Sequence, residues 1–80
     1  MSWHATTPNR SAILHNDLMY IQCWYRGDYQ SHEDFVVLMT TTHEYWVTKN
    51  GNDSSADNTG PYECLETAQV VCRLMNSAKG

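Results

Sequence analysis

The segment from Leu18 to Tyr25 carries mostly apolar or aromatic side chains on both of its alternating sets of positions. One set is Leu18, Tyr20, Gln22 and Trp24, and the other is Met19, Ile21, Cys23 and Tyr25. Successive side chains of a strand point to opposite faces of a sheet, so this segment is typical of a central strand covered on both sides. A chain of 80 residues buries one small core. The sequence therefore predicts a single domain over residues 1–80, built around this strand.

Residues 31–46 fit two interpretations. The β-branched residues Val36, Val37 and Thr40 to Thr42 favour strands, because branching at Cβ lowers helix propensity. A helix over the same stretch is the alternative, since Phe35, Leu38, Met39 and Thr42 would share one helical face. We predict two strands here, at about 34–41 and 44–49. Two further strands are predicted earlier in the chain, at about 10–15 and 18–25.

The C-terminal segment has the clearest helical pattern. Leu65, Ala68, Val71, Cys72 and Met75 recur at helical spacing and predict a helix over about 64–76. An isolated helix of this length is marginal in water, so it is expected to pack on the sheet. The predicted fold class is α+β: a small antiparallel sheet of three to four strands with a C-terminal helix on one face. The second face then needs another cover, which points to a dimer or a larger partner.

Two segments fall outside these elements. Residues 1–9 are polar and contain a proline, which predicts a flexible arm or an added sheet edge. Residues 50–60 are rich in Asn, Asp, Ser and Gly, which predicts an exposed loop. A loop of this length in so small a domain is usually functional or disordered.

The cysteines indicate a reducing compartment. Cys23, Cys64 and Cys72 are odd in number, and Met1 to His4 lack the basic and apolar regions of a secretory signal. We therefore expect a cytoplasmic protein with three reduced thiols. Cys64 is read as a cap or packing residue at the start of the helix. Its acidic neighbours Glu63 and Glu66 are expected to oppose thiolate formation.

The sequence contains no motif that carries a known chemistry. The four histidines and three cysteines lack the close pairs of a zinc site, and the isolated glycines do not form a phosphate-binding loop. We accordingly predict no enzyme, no metal and no cofactor. A small Cys/His metal-binding or enzyme domain, assembled only by folding, is the least favoured alternative.

The charge distribution suggests the kind of partner. The net charge is −4, and eight of the nine acidic residues lie between positions 26 and 66. Such a segment repels phosphates and attracts a basic surface, so nucleic acid is disfavoured and a protein partner favoured. No run of residues is long and apolar enough to span a membrane, so a membrane is not expected as a partner. The expected contact residues are acidic or aromatic: Asp28, Glu33, Asp34, Glu44, Asp53, Asp57, Trp24, Tyr29 and Trp46.

The aromatic residues leave a second function open. Tyr20, Trp24 and Trp46 on one open sheet face would stack unpaired bases, which would make a single-stranded nucleic-acid-binding module. In size, acidity and lack of a catalytic signature, the chain resembles the small inhibitor proteins of phages and mobile elements, such as anti-CRISPRs. This resemblance of profile implies a viral inhibitor of a basic nucleic-acid-handling protein. That is the leading hypothesis, and a homodimer is an additional expectation.

Overall fold

The computed structural model describes residues 2–7, 13–15, 18–27, 34–49 and 58–79. In chain order the elements are β1 (Trp3–Thr6), β2 (Ile13–His15), β3 (Leu18–Arg26), β4 (Phe35–Thr40), β5 (Tyr45–Lys49), β6 (Thr59–Tyr62) and α1 (Leu65–Lys79). The predicted α+β class, with an antiparallel sheet and a C-terminal helix, is confirmed. The described part of the chain contains no helix with the length and apolar character needed to cross a membrane.

The sheet is antiparallel throughout, with the strand order β1-β3-β4-β5-β6 and with the short β2 paired to the start of β3. The β-branched stretch forms β4, and the tight turn Thr41 to Glu44 leads into β5. His43 in this turn has φ of 62°, in the left-handed region. The strand interpretation of residues 31–46 is therefore confirmed where the structure describes them.

The two outer strands extend the predicted sheet. Trp3–Thr6 pairs with the second half of β3, which is the sheet-edge alternative predicted for residues 1–9. Thr59–Tyr62 pairs with β5, so the last two positions of the predicted loop 50–60 belong to a strand. The side chain of Thr59 donates a hydrogen bond to the carbonyl of Val47 at 3.3 Å, which ties this strand to β5. Residues 50–57 lie outside the described part of the chain.

The helix packs on one face of the sheet, as predicted. Ala68 and Cys72 of α1 form a buried cluster with Val37 of β4 and Val47 of β5. These four side chains are fully buried because a small residue on the helix lets its backbone approach the sheet closely. The helix runs to Lys79, three residues beyond the predicted end, and the side chain of Asn76 within it bonds to the sheet.

The opposite face of the central strands is also buried. Val36, Leu38 and Trp46 form a second cluster there, and Thr40 and Thr48 are buried beside them. None of these five side chains is more than 5% exposed in the single chain. This part of the second face needs no partner to cover it, so the sequence-based argument for a dimer does not hold at these residues.

A β-bulge in β3 changes which of its side chains share a face. Tyr20 is paired with Thr40, but Gln22 is paired with Met39, so one extra residue of β3 is accommodated between them. Tyr20 therefore packs with Cys23 and Tyr25 in the second cluster, whereas Trp24 packs in the cluster under the helix. The alternation predicted for Leu18 to Tyr25 is wrong across the bulge.

Candidate functional site

The helix α1 begins at a corner capped by Cys64. The carbonyl of Cys64 accepts the first helical hydrogen bond from the N–H of Ala68 at 3.2 Å. Its thiol lies 3.0 Å from the hydroxyl of Thr67, three residues later. This is the position and the contact of an N-cap side chain, with sulfur in place of oxygen. The sequence-based interpretation of Cys64 as a cap is therefore confirmed.

The hydrogen bonds at this cap lower the pKa of the Cys64 thiol below its usual value. The Thr67 hydroxyl contributes most, followed by the Thr67 backbone N–H, and both favour the thiolate. The charge of Glu66 raises the pKa, but it is the weaker influence. Glu66 therefore opposes thiolate formation, as expected from the sequence, but the hydrogen bonds from Thr67 outweigh its effect on the pKa of Cys64.

Three carboxylates lie at the end of the sheet where α1 begins. Tyr45 and Tyr62 are paired across β5 and β6, and the chain places Glu44 just before the first and Glu63 just after the second. Glu66 follows in the first turn of α1. We call Glu44, Glu63 and Glu66 the acidic end. It lies beside the positive end of the helix dipole, which favours negative charge there.

Glu44 is held in place by the turn that precedes β5. Its N–H donates to the Thr40 hydroxyl at 3.2 Å, and its carboxylate accepts a hydrogen bond from the Thr42 hydroxyl at 3.2 Å. The Thr40 N–H in turn donates to the Glu44 carbonyl at 2.9 Å. Glu63 and Glu66 are both exposed. The acidic end therefore combines one positioned carboxylate with two on the open surface.

The outer face of α1 carries an exposed apolar pair next to the acidic end. Val70 and Leu74 follow Glu66 at intervals of four residues, so the three share the helix face that points away from the sheet. Val70 is 41% exposed and Leu74 is 60% exposed. An aliphatic pair left in solvent on a helix whose inner face is fully packed is a candidate contact surface.

Depressions flank Val70 on both sides. A groove of about 440 Å³ is lined by Cys64, Glu66, Thr67, Val70 and Val71. A smaller one of about 90 Å³ is lined by Trp3, Glu66, Gln69, Val70 and Arg73, on the side of strand β1. We call the larger depression, together with Leu74, the helix groove. Its walls are apolar along the helix and carry a carboxylate at the end nearest the helix N-terminus.

Two of the described basic side chains, Arg26 and Lys49, lie at the end of the sheet opposite the acidic end. Lys49 ends β5, about 13 Å along the strand from Tyr45. Arg26 ends β3 on the same side of the molecule as Lys49 and has its guanidinium 5.9 Å from the ring of Trp3. Arg73 lies two turns along α1 from Glu66. The separation of charge is partial, because Arg73 lines the same small depression as Glu66 and because Asp34 lies at the end that carries Arg26 and Lys49.

The structure does not bring the predicted acidic contact residues together. Asp34 precedes β4 and Glu44 follows the turn after it, so the length of β4, about 20 Å, separates them. Asp34 is exposed at the end opposite the acidic end. Five further predicted contacts lie outside the described residues: Asp28, Tyr29, Glu33, Asp53 and Asp57.

The predicted aromatic contacts lie on opposite faces of the sheet. Trp24 is half-buried on the helix side, where its ring lies 5.9 Å from that of Tyr45. Trp46 is 5% exposed and belongs to the core of the other face. The expectation that Trp46 presents an exposed ring is therefore wrong. Tyr20, Trp24 and Trp46 do not form one open aromatic platform, because the bulge in β3 puts Trp24 on the other side.

The surface that the sequence reasoning missed comprises Glu63, Glu66, Val70 and Leu74. A helical projection of residues 64–76 contains the signal, since Glu66, Val70 and Leu74 lie opposite the buried positions Ala68 and Cys72. The apolar residues that predict the helix, Leu65, Ala68, Val71, Cys72 and Met75, do not include Val70 and Leu74. Exposed aliphatic residues on the outer face are the departure from an ordinary amphipathic helix.

The other two cysteines of the described region are less accessible than Cys64, Cys23 being half-buried and Cys72 buried. Burial raises the pKa of the Cys23 thiol to about 11. Cys72 is fully buried and donates to the Phe35 carbonyl at 3.1 Å. Among the described residues, no three His, Cys, Asp or Glu side chains are placed to hold a metal ion.

Comparisons with known proteins leave this surface to be interpreted on its own chemistry. No family model matches the chain, and no curated protein or solved structure matches it either.

Proposed function

We propose that this chain is a non-enzymatic interaction protein that binds a macromolecule with a basic surface. The observation that carries this proposal is the gathering of Glu44, Glu63 and Glu66 at one end of the fold, with Arg26 and Lys49 at the other. A charge distribution of this kind orients an approaching partner and raises the rate of association with a cationic surface. The net charge of −4 acts in the same direction.

The partner class that fits such a surface is a protein that handles nucleic acid. Its binding groove is cationic, and occupation by an anionic protein would exclude the nucleic acid by competition. The biological role proposed here is therefore inhibition, of the type found in anti-CRISPRs encoded by phages and mobile elements, acting in the cytoplasm. A homodimer that doubles the acidic surface is compatible with this role.

Affinity capture with a matched charge variant tests the proposal. The protein is immobilised beside the triple variant E44Q/E63Q/E66Q, and each is exposed to host lysate at low salt. We expect the wild-type protein to retain basic proteins that the triple variant loses and that 0.5 M NaCl releases, because screening weakens exposed charge interactions. Asp34→Asn is the control, since it removes a carboxylate from the opposite end.

Two results would overturn the proposal. One is capture of the same proteins by the wild type and the triple variant. The other is retention that salt does not affect. A competition assay extends the test: a captured nucleic-acid-binding protein should lose its DNA or RNA when the wild-type chain is added, and should keep it when the triple variant is added.

A further inference from the structure

We infer that the helix groove receives an apolar side chain from a basic segment of the partner protein, with a lysine or arginine of that segment placed against Glu66. This inference rests on the proposed function and names the part of the partner that makes the contact. It commits to a protein segment of amphipathic, cationic character.

The shape and lining of the groove support an apolar side chain. Val70 and Val71 supply an aliphatic wall, and Leu74 continues it one turn further along α1. The depression of about 440 Å³ is open to solvent, so an aliphatic side chain can enter it from outside. Covering Val70 and Leu74 would remove from water the largest exposed aliphatic side chains of the helix.

The charges around the groove set the direction of the segment. Glu66 lines the groove at its N-terminal end, and Glu63 is exposed one turn before it. Arg73 lies on the far side of Val70, away from the larger groove. A cation on the segment is therefore attracted toward the start of α1 and repelled from the middle of the helix, which gives one favoured orientation.

Fluorescence anisotropy with synthetic peptides tests this assignment. The probes are a labelled peptide of leucine and lysine with amphipathic spacing, and a serine and lysine peptide of equal length and charge. We expect the full chain to bind the leucine peptide about tenfold more tightly than the serine peptide. The reason is that leucine side chains are transferred from water into the groove on binding. The double variant V70S/L74S should lose this preference and bind the two peptides with about equal affinity, because it lacks the apolar wall of the groove.

The matched control is Ile21→Ser. Ile21 is 40% exposed, as Val70 is, but it lies on β3 and not on α1. The control should keep the preference for the leucine peptide. Backbone amide shifts of the labelled protein should change at Thr67, Val70 and Leu74 when the leucine peptide is added. Circular dichroism checks that each variant is folded.

Each alternative outcome is distinguishable. If V70S/L74S keeps the preference for the leucine peptide while E63Q/E66Q weakens the binding of both peptides, the assignment of the groove is wrong and the proposed function stands. If Ile21→Ser loses the preference equally, the apolar contact is unspecific and the inference fails. If neither peptide binds, the inference and the electrostatic proposal both fail. If V70S/L74S converts a dimer into a monomer in sedimentation measurements, the occupant is a second copy of the chain and the inference is overturned.

Discussion

The side-chain amide of Asn76 takes the place of a neighbouring strand for the backbone of Phe35. The Phe35 N–H donates to the Asn76 Oδ1 atom at 2.8 Å, and the Asn76 Nδ2 atom donates to the Phe35 carbonyl at 3.3 Å. In chain order, Val37 is the first residue of β4 that pairs with β3, so Phe35 lies before the paired part of the strand on that side. Backbone groups at the start of a covered strand need a partner, and the helix supplies both a donor and an acceptor. This pair fixes the position of α1 along the sheet.

Asn76→Ala is expected to lower the free energy of unfolding by about 2 kcal/mol. The substitution leaves the Phe35 N–H without its acceptor in a partly buried place and leaves the Phe35 carbonyl with the Cys72 thiol as a donor. Urea denaturation followed by circular dichroism measures the change. Ser77→Ala is the control, since Ser77 is exposed on the same helix. Equal stabilities of the two variants would show that the pair does not anchor the helix.

Gly60→Ala is expected to cost at least about 2 kcal/mol in stability. Gly60 has φ of 140°, and a Cβ atom there would lie 2.9 Å from the Tyr45 carbonyl oxygen and 3.1 Å from the Trp46 ring. The carbonyl belongs to the backbone of β5 and cannot rotate away. Thermal denaturation compares this variant with Glu63→Ala, which alters an exposed residue of the same corner. A melting temperature within 1–2 °C of the control, a shift of well under 1 kcal/mol, would contradict the contact.

Cys64 is expected to be the thiol that alkylates first in the folded protein. Its lowered pKa makes the thiolate abundant at a lower pH than for an ordinary thiol, and the side chain is exposed. The raised pKa of Cys23 has the opposite effect, and Cys72 is buried. Iodoacetamide labelling followed by peptide mass spectrometry, repeated from pH 6 to pH 10, measures the three rates.

Thr67→Val tests the cause of this reactivity. Removing the hydroxyl that hydrogen-bonds to Cys64 and favours its thiolate should move the midpoint of the pH–rate profile upward and slow labelling near pH 7.5 by about threefold. Thr6→Val, at an exposed threonine of β1, should leave the profile unchanged. A profile that does not move in Thr67→Val would show that the backbone N–H groups alone stabilise the thiolate.

Trp46→Ala is expected to destabilise the fold by about 3–5 kcal/mol, as large-to-small substitutions of buried aromatic residues do. Trp46→Phe should keep most of the stability and should bind the leucine and lysine peptide as the wild type does, because the ring is not at the surface. Denaturation and anisotropy measure the two effects. Loss of peptide binding by a stably folded Trp46→Phe would restore Trp46 as a contact residue.

The local pattern of the sequence was enough to locate most of the elements. Phe35, Val37 and Met39 alternate with Val36 and Leu38, and β4 places the two sets on opposite faces as expected. The helix was predictable for the same reason, since Ala68 and Cys72 recur at its period. The strand from Thr59 to Tyr62 was not, because Gly60 and Pro61 are unusual inside a strand and only the pairing with β5 holds them there.

The candidate surface was less predictable than the fold. Acidity of the middle segment was visible in the sequence, but Asp34 and Glu44 are separated by the length of β4. The pairing of Tyr45 with Tyr62 instead places Glu44 and Glu63 at the same end of the sheet. A count of charges along the chain does not contain this information. The exposed pair Val70 and Leu74 required knowing which helix face the sheet covers.

The sequence by itself determined the alternation of the strands, the helical period of residues 64–76 and the net negative charge. These are properties of neighbouring residues and of backbone geometry. The tertiary structure alone decided that Trp46 is buried, that Trp24 crosses to the helix side at the bulge in β3, and that three carboxylates share one end. Those outcomes depend on contacts between residues distant in the chain, where packing and strand register, rather than local preference, select the arrangement.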